Sequence, residues 1–381
     1  MSEGEHPPVG DAEVLEIGAR RDAHRLAWPA AVVALAGTLV AVVVTNSGGA
    51  PGSVGSRSGR GSDTPTARTR VGHPLLPVRG GWDLIGRGDR VLVGIDLAAG
   101  EITTTPVPEL QSTGPVALIA GRDWTMIRPS DYVPGYLIRD GRPTHALTGL
   151  LSNGGLASPG PDPIHVWVLA SGSRPERIAR VGIDGRPTGV QIPVPPGGSP
   201  DALPDQTGNL IFEADDGWYD ARPDGTTRIT TGALLAVGPS RWLTSECGRH
   251  RSCATMLINR SDGARRTLDL RVPDRDAQPG VISPDGGFAV RELDRRHPAL
   301  EIINLATGSE HELAIPVDPF AALQREWPVW SPDSRWLFVI DATGHLDAVD
   351  PRTDQVVDLT RRLGAGIPVL RQLAIRDPGD G

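Results

Sequence analysis

The feature that most limits what this chain can become is a repeat. From about residue 73 a short extended run ends in Asp or Asn, turn residues and a Gly follow, and another extended run begins. The instances are VGIDLAAG ending at Gly100, LIRDG at Gly141, VGIDG at Gly185, YDARPDG at Gly225, LINRSDG at Gly263 and IINLATG at Gly308. A seventh, AVDPRTD, has Asp354 where Gly is expected. Successive turns lie 41, 44, 40, 38, 45 and 46 residues apart. Gly suits such turns because it adopts positive φ at little cost, and Asp or Asn bonds to the local backbone. Four short antiparallel strands per period of about 40–45 residues is the arithmetic of a propeller blade.

The clearest unit runs from Trp327 to Thr360. Its first strand passes through Val329-Trp330, Ser331-Pro332-Asp333-Ser334 turns, and Arg335 to Ile340 returns. Asp341-Ala342-Thr343-Gly344 turns again, His345 to Asp350 follows, and Val356-Val357-Asp358-Leu359 closes the set. Seven units of about 44 residues fill the 309 positions from 73 to 381. With 47 Gly and 36 Pro in 381 residues, the chain carries nearly twice the usual share of turn formers, which excludes a helical bundle. Trp82, Trp124, Trp167, Trp218 and Trp242 mark the first five units, as flat core packing between neighbouring blades. Ile367 to Arg376 is an extended apolar run left over after the seventh unit; it is expected to join the first blade, which is one strand short, and latch the ring.

Between Arg25 and Arg57 no side chain ionises, and Leu26 to Thr45 is 20 residues of Ala, Val, Leu and little else. As a helix that length spans about 30 Å, the hydrocarbon thickness of a bilayer. Pro29 falls in the first turn and Trp28 where an interfacial aromatic belongs. A cleaved signal peptide is the rival, with small residues at Gly48 to Ala50, but its apolar core is usually about 7–15 residues. Arg20, Arg21 and Arg25 crowd the N-terminal flank, so the positive-inside rule puts the N-terminus in the cytoplasm. The expected organisation is a cytoplasmic tail (1–25), a transmembrane helix (26–45), a flexible Gly/Ser/Arg linker (46–72) and the ring (73–381), outside the cytoplasm.

Only two cysteines occur, Cys247 and Cys253, at the ends of ECGRHRSC between two apolar runs. Two strands joined by that loop bring them face to face, so a disulfide is expected, which suits an oxidising compartment. Free thiols or a metal site completed by His250 are the alternatives, although three ligands fall short of the usual four.

The stretch WSPDSRWLFVIDATGHLDAVDPRTDQVVDLT, and the weaker ISPDGGFAVRELDRRHPALEIINLATG, resemble the repeats of TolB-like and WD-repeat-like propellers. The Ser-Pro-Asp-Gly-like turn occurs only in the last two units; elsewhere the spacing and the second turn match. The resemblance implies a ligand- or protein-binding disc, here membrane-anchored, bacterial and actinobacterial. All 38 basic residues being Arg also fits a GC-rich bacterial genome.

Motifs of catalysis are missing. The chain has no G-x-x-x-x-G-K-[ST], G-x-S-x-G or H-E-x-x-H, and His311-Glu312 lacks the second histidine. Asp96, Asp140, Asp184 and Asp350 recur at turns, where forming the turn is their role. A net charge of −8 speaks against a nucleic-acid binder. One constellation remains. Loops joining second to third strands share one face of a propeller, and those of the fifth and sixth units bring Arg249, His250, Arg251, Arg295, Arg296 and His297 together. Planar guanidinium forks suit carboxylate or phosphate, so this rim is the expected site for an anionic ligand or acidic partner; ordinary solvated hairpin charge is the plainer reading.

The expectation is therefore an all-β chain, a seven-bladed β-propeller preceded by one N-terminal transmembrane helix. It acts as a protein- or ligand-binding or scaffolding module of the cell envelope, without metal or cofactor and not as an enzyme. Its partners are the membrane, an envelope protein and a small-molecule ligand, not nucleic acid. The alternative is an envelope hydrolase or lyase working in the central funnel.

Overall fold

The computed structural model describes residues 66–376 apart from 111–114, 132, 140–141, 143, 153–154, 156, 171–175, 200, 249–252, 272–277, 294–298, 318–327 and 365–366. The expected transmembrane segment 26–45 lies outside the described residues. Among these, no helix is long and apolar enough to cross a membrane.

Strands follow one another as antiparallel meanders. The first sheet holds β1 (Ala67–Arg70), β2 (Asp83–Arg87), β3 (Val91–Asp96) and β4 (Glu101–Pro106). The second holds β5 (Val116–Ala120), β6 (Trp124–Pro129), β7 (Tyr136–Arg139) and β8 (His145–Ala146). The third holds β9 (Ala157–Pro159), β10 (His165–Leu169), β11 (Arg177–Gly182) and β12 (Pro187–Pro193). The fourth holds β13 (Leu203–Pro204), β14 (Leu210–Ala214), β15 (Gly217–Arg222) and β16 (Gly225–Thr230). A larger sheet contains β17 (Ala233–Val237), β18 (Arg241–Cys247), β19 (Cys253–Asn259) and β20 (Arg265–Leu268). It continues through β21 (Gly280–Ile282), β22 (Phe288–Glu292), β23 (Leu300–Asn304) and β24 (Ser309–Glu312). The last meander is β25 (Val329–Trp330), β26 (Leu337–Ile340), β27 (Leu346–Asp350) and β28 (Gln355–Asp358). A one-turn helix α1 (Leu359–Leu363), capped by Asp358, then leads to β29 (Gln372–Arg376).

The last strand returns to the first sheet. β29 pairs antiparallel with β2, Asp83 opposite Arg376 and Arg87 opposite Gln372, as the leftover C-terminal run predicts. The innermost strands are neighbours in turn: β29 beside β5, β5 beside β9, β9 beside β13, β17 beside β21 and β25 beside β29. The architecture is propeller-like and all-β. Sheets stacked face to face bury second strands on both sides and leave outer strands wet. Every residue of β6 is accordingly buried, whereas the first four of β16 are exposed.

Two expectations need correction. Five blade-sized sheets stand alone rather than seven, because the sixth sheet has eight strands. Its halves meet where β17 and β21 run parallel and share two residue pairs, Ala236–Gly280 and Val237–Val281. The missing side chain of Gly238 allows the approach, since a Cβ there would sit 2.6 Å from Ile282 Cβ on β21; Gly280 instead lets β21 lie against β22, where a Cβ would sit 1.9 Å from the Val290 carbonyl. The linker, second, does not stay unstructured to residue 72. Ala67–Arg70 pairs with the outer edge of β4, which would otherwise leave its backbone groups unpaired.

The repeated turns behave as their composition requires. Gly100, Gly185, Gly263 and Gly308 have φ between 66 and 81°, and Asp354 at the seventh turn has φ 57°. Its carboxylate lies 3.0 Å from His311 Nε2 on β24.

Polar spans tie sheet to sheet. The Trp124 indole donates to the Pro163 carbonyl at 2.9 Å, and the Trp167 indole to the Gly208 carbonyl at 2.7 Å, each one repeat further along. Where an arginine precedes the tryptophan, the arginine makes the span instead: Arg241 Nη1 donates to Gly286 O at 2.8 Å and Arg335 Nη1 to Pro77 O at 3.3 Å. A second device recurs at third-strand ends. Arg260 donates to Gly238 O at 3.1 Å within its own meander, reaches back to Asp205 at 2.6 Å, and lies over the Trp242 ring. Arg352 likewise donates to Ser334 O at 2.9 Å, reaches back to Asp285 at 3.0 Å, and lies over the Phe288 ring. Burial alone would raise the Asp205 carboxyl, but the Arg260 charge and hydrogen bonds from Thr207 hold it below the usual range.

The two latches should differ in strength. Side chains of the Arg260–Asp205 pair are 6% and 0% exposed, those of Arg352–Asp285 43% and 44%. Arg260→Ala leaves a buried carboxylate uncompensated and should cost about 3–5 kcal/mol in urea unfolding. Arg352→Ala should cost under about 1 kcal/mol. Ending the chain after Arg371 removes β29, exposes the edge of β2 and should abolish the single cooperative transition seen by tryptophan fluorescence.

Candidate functional site

Loops between second and third strands share one face of the ring, here called the hairpin face. Arg249, His250, Arg251, Arg295, Arg296 and His297 lie in two of those loops, outside the described residues; the strands that carry them are described. β18 and β19 pair along their whole length, Arg241 opposite Asn259 through Cys247 opposite Cys253. The Cys247–Cys253 disulfide closes this hairpin just below its loop, with Cα atoms 3.9 Å apart. The sulfurs are bonded to each other and are not free metal ligands. β22 and β23 form the second hairpin, Phe288 opposite Asn304 through Glu292 opposite Leu300. Both belong to the eight-stranded sheet, so the two loops spring from one hydrogen-bonded unit.

Charges brace these hairpins. Glu246, beside the disulfide, accepts from Arg265 Nη1 at 2.9 Å and from the Thr230 hydroxyl at 3.3 Å. On β22, Arg291 is 1% exposed. Its Nε donates to Glu301 at 2.8 Å, and its Nη2 to Glu310 at 2.9 Å and to the Arg271 carbonyl at 2.7 Å. Burial, assisted by the Glu310 charge, pushes the Glu301 carboxyl up against the opposing pull of Arg291. Sequence reading missed this network. Its one signal is the charged pair Arg291-Glu292 ending a second strand that is otherwise apolar.

The last sheet, β25 to β28, gives the hairpin face an acidic sector. Asp347 stands directly opposite Asp358 across β27 and β28. Burial first, then the charges of Asp358 and Asp341, push the Asp347 carboxyl up to about 6. Asp341 is held below its usual range, because hydrogen bonds from Thr343 and the His345 amide outweigh its burial. Among the described residues no group of three or more His, Cys, Asp and Glu side chains is placed to hold a metal ion. Near the inner ends of the strands on the opposite face, His165 Nδ1 lies 2.7 Å from Asp162, inside a cavity of about 460 Å³ shared with Gln206 and Trp124. That aspartate also accepts the Ile164 amide, so the pair first of all shapes its own loop.

Comparison with known proteins gives structural likeness at low identity. No family model matches the chain. No curated protein matches it either. A functionally unknown protein from Desulfotomaculum acetoxidans is 13% identical with a TM-score of 0.48, over 78% of this chain and 99% of that one. TolB from Acinetobacter baumannii is 14% identical with a TM-score of 0.41, over 77% of this chain and 66% of that one. An oligogalacturonate lyase in complex with manganese is 12% identical with a TM-score of 0.47, over 72% of this chain and 86% of that one. Each of these superpositions falls below 0.5, and the propeller-like architecture rests on the strand pairings themselves.

The Asp347 carboxyl titrates higher in the folded chain than in the unfolded one. The stability it contributes is therefore present below about pH 4 and is lost as pH rises through about 6. Asp347→Asn should raise stability at pH 7.5 by roughly 1 kcal/mol, allowing for solvent screening of a half-buried group, and leave it unchanged at pH 4. Urea unfolding at the two pH values checks this.

Proposed function

We propose that this chain is a single-pass membrane protein, N-terminus inside, whose propeller stands outside the cytoplasm and binds an acidic partner of the cell envelope. On this reading the ring has seven blades, the eight-stranded sheet being two blades fused by their inner strands. The binding surface is the arginine rim of the fifth and sixth blades. The observation that carries the reading is the Cys247–Cys253 disulfide. Such bonds persist in oxidising compartments, which supports a ring outside the cytoplasm, and this one closes a hairpin that carries half of the rim. The fusion of β17 with β21 supports the rest, since it holds both rim hairpins in one sheet. Guanidinium forks suit carboxylates, and the acidic sector around Asp347 would orient such a partner by repulsion.

Two arms test this. Alkaline phosphatase fused after Gly381 should be active in intact cells; an inactive fusion on an expressed chain contradicts the membrane topology. Full-length protein crosslinked in membranes should co-purify an acidic envelope component. Replacing Arg249, Arg251, Arg295 and Arg296 together with Ser should abolish its recovery, and undiminished recovery would exclude the rim.

A further inference from the structure

A second site, remote from the rim, is built into the wedge between the first and second sheets. A cavity of about 720 Å³ opens there, within the range of small-molecule sites. It arises from one row of cross-strand partners in the first sheet: Ala374 of β29, Ile85 of β2, Gly94 of β3, Thr103 of β4 and Arg68 of β1. Bulk runs out along that row. Ile85 and its neighbours Leu92, Ile127 and Ile138 seal the inner half of the interface in a common core. Outward, Gly94 offers no side chain, and a Cβ there would meet nothing closer than 3.8 Å. The second sheet cannot cover the gap, because its outer strand β8 is only two residues long, both exposed. β1 meanwhile extends the first sheet one strand further out and lengthens the uncovered wall.

The lining is sorted by chemistry. Ile85, Leu92 and Ile138 make an apolar floor, the hydroxyl residues Thr66, Thr103 and Thr105 stand on the outer wall, and Asp83 and Arg376, cross-strand partners on β2 and β29, complete the lining as an opposed pair of charges. Arg68 is exposed at the lip and has no carboxylate partner among the described residues, whereas its neighbour Arg70 lies 3.6 Å from Glu101. Other clefts differ. The one between the fourth and fifth sheets, about 490 Å³, is edged by Asp220 and Arg260, already bound to each other and to Arg222 and Asp205.

We propose that the wedge binds a small amphipathic organic anion. Its charged group meets Arg68 and the threonine hydroxyls, and its apolar body lies over Gly94 against Ile85, Leu92 and Ile138. Because Thr66 and Arg68 lead into or belong to β1, such a ligand also braces that strand against β4.

Naphthalene-2-sulfonate, with the neutral naphthalene-2-sulfonamide as its partner, tests this by calorimetric titration into the full chain in lipid nanodiscs, empty nanodiscs subtracted. The sulfonate should bind one saturable site about fivefold more tightly than the sulfonamide. Arg68→Ser should remove that preference. Gly94→Leu, which fills the floor at a position of ordinary φ, should abolish binding of both probes while the unfolding midpoint holds. The variant lacking the four rim arginines should bind the sulfonate as the unaltered chain does, which separates this site from the rim. Absence of saturable sulfonate binding, or a preference that survives Arg68→Ser, would overturn the proposal; should Gly94→Leu not fold, the Arg68→Ser comparison decides alone.

Discussion

Everything in the ring depends on the pairing of β29 with β2. Two strands separated by nearly the whole described chain align Leu84 with Ile375 and Gly86 with Leu373. Side chains secure the seam: Arg87 Nε donates to Gln372 at 2.8 Å, and Gln372 in turn donates to the Val116 carbonyl of the next sheet at 2.5 Å. Behind it, Leu75, Leu76 and Trp82 from the start of the ring share a core with Trp336, Phe338 and Leu359 from its end. Closing so long a loop costs only slightly more entropy than closing a short one, since the cost grows with the logarithm of length. Without the seam the first and last sheets would each expose an apolar face. With it, no inner edge is left open there.

Around the ring the same problem is solved with different atoms. Four meanders reach a carbonyl on the next, and the donor is an indole after Asp123 or Val166 but a guanidinium where Arg241 or Arg335 precedes the tryptophan. The third-strand arginines Arg260 and Arg352 then reach back one sheet. Forward and backward spans together hold the sheets in angular register while the apolar clusters between them supply most of the stabilisation.

The period of the turns was legible because its cause is local: a residue at positive φ wants Gly, and six of seven turns have it. The disulfide and the closing strand were legible for similar reasons, one from a hairpin's spacing and the other from an extended run with no partner of its own. What escaped is non-local. Asp205 and Arg260 are 55 positions apart and meet only once the ring forms. β1 is the polar stretch Ala-Arg-Thr-Arg, exposed throughout, and carries no alternation that could announce a strand. The fusion of β17 with β21 depends on Gly238, whose role shows only when the two strands approach. The rim is a reading of charge on two hairpin loops that lie outside the described residues; the strands beneath them, with the disulfide and Arg291, are described. The wedge cavity was not legible, because it comes from a glycine in one sheet and a truncated strand in the next.

Closure of the ring is the claim on which the fold and both proposed sites stand, and amide hydrogen exchange tests it most directly. If β29 is an integral strand of the first sheet, peptides covering 372–376 should exchange only through global opening, at the same rate as those from β2 and β3 and with the same response to denaturant. Exchange of 372–376 by local fraying, orders of magnitude faster than β2 and β3, would contradict a closed ring.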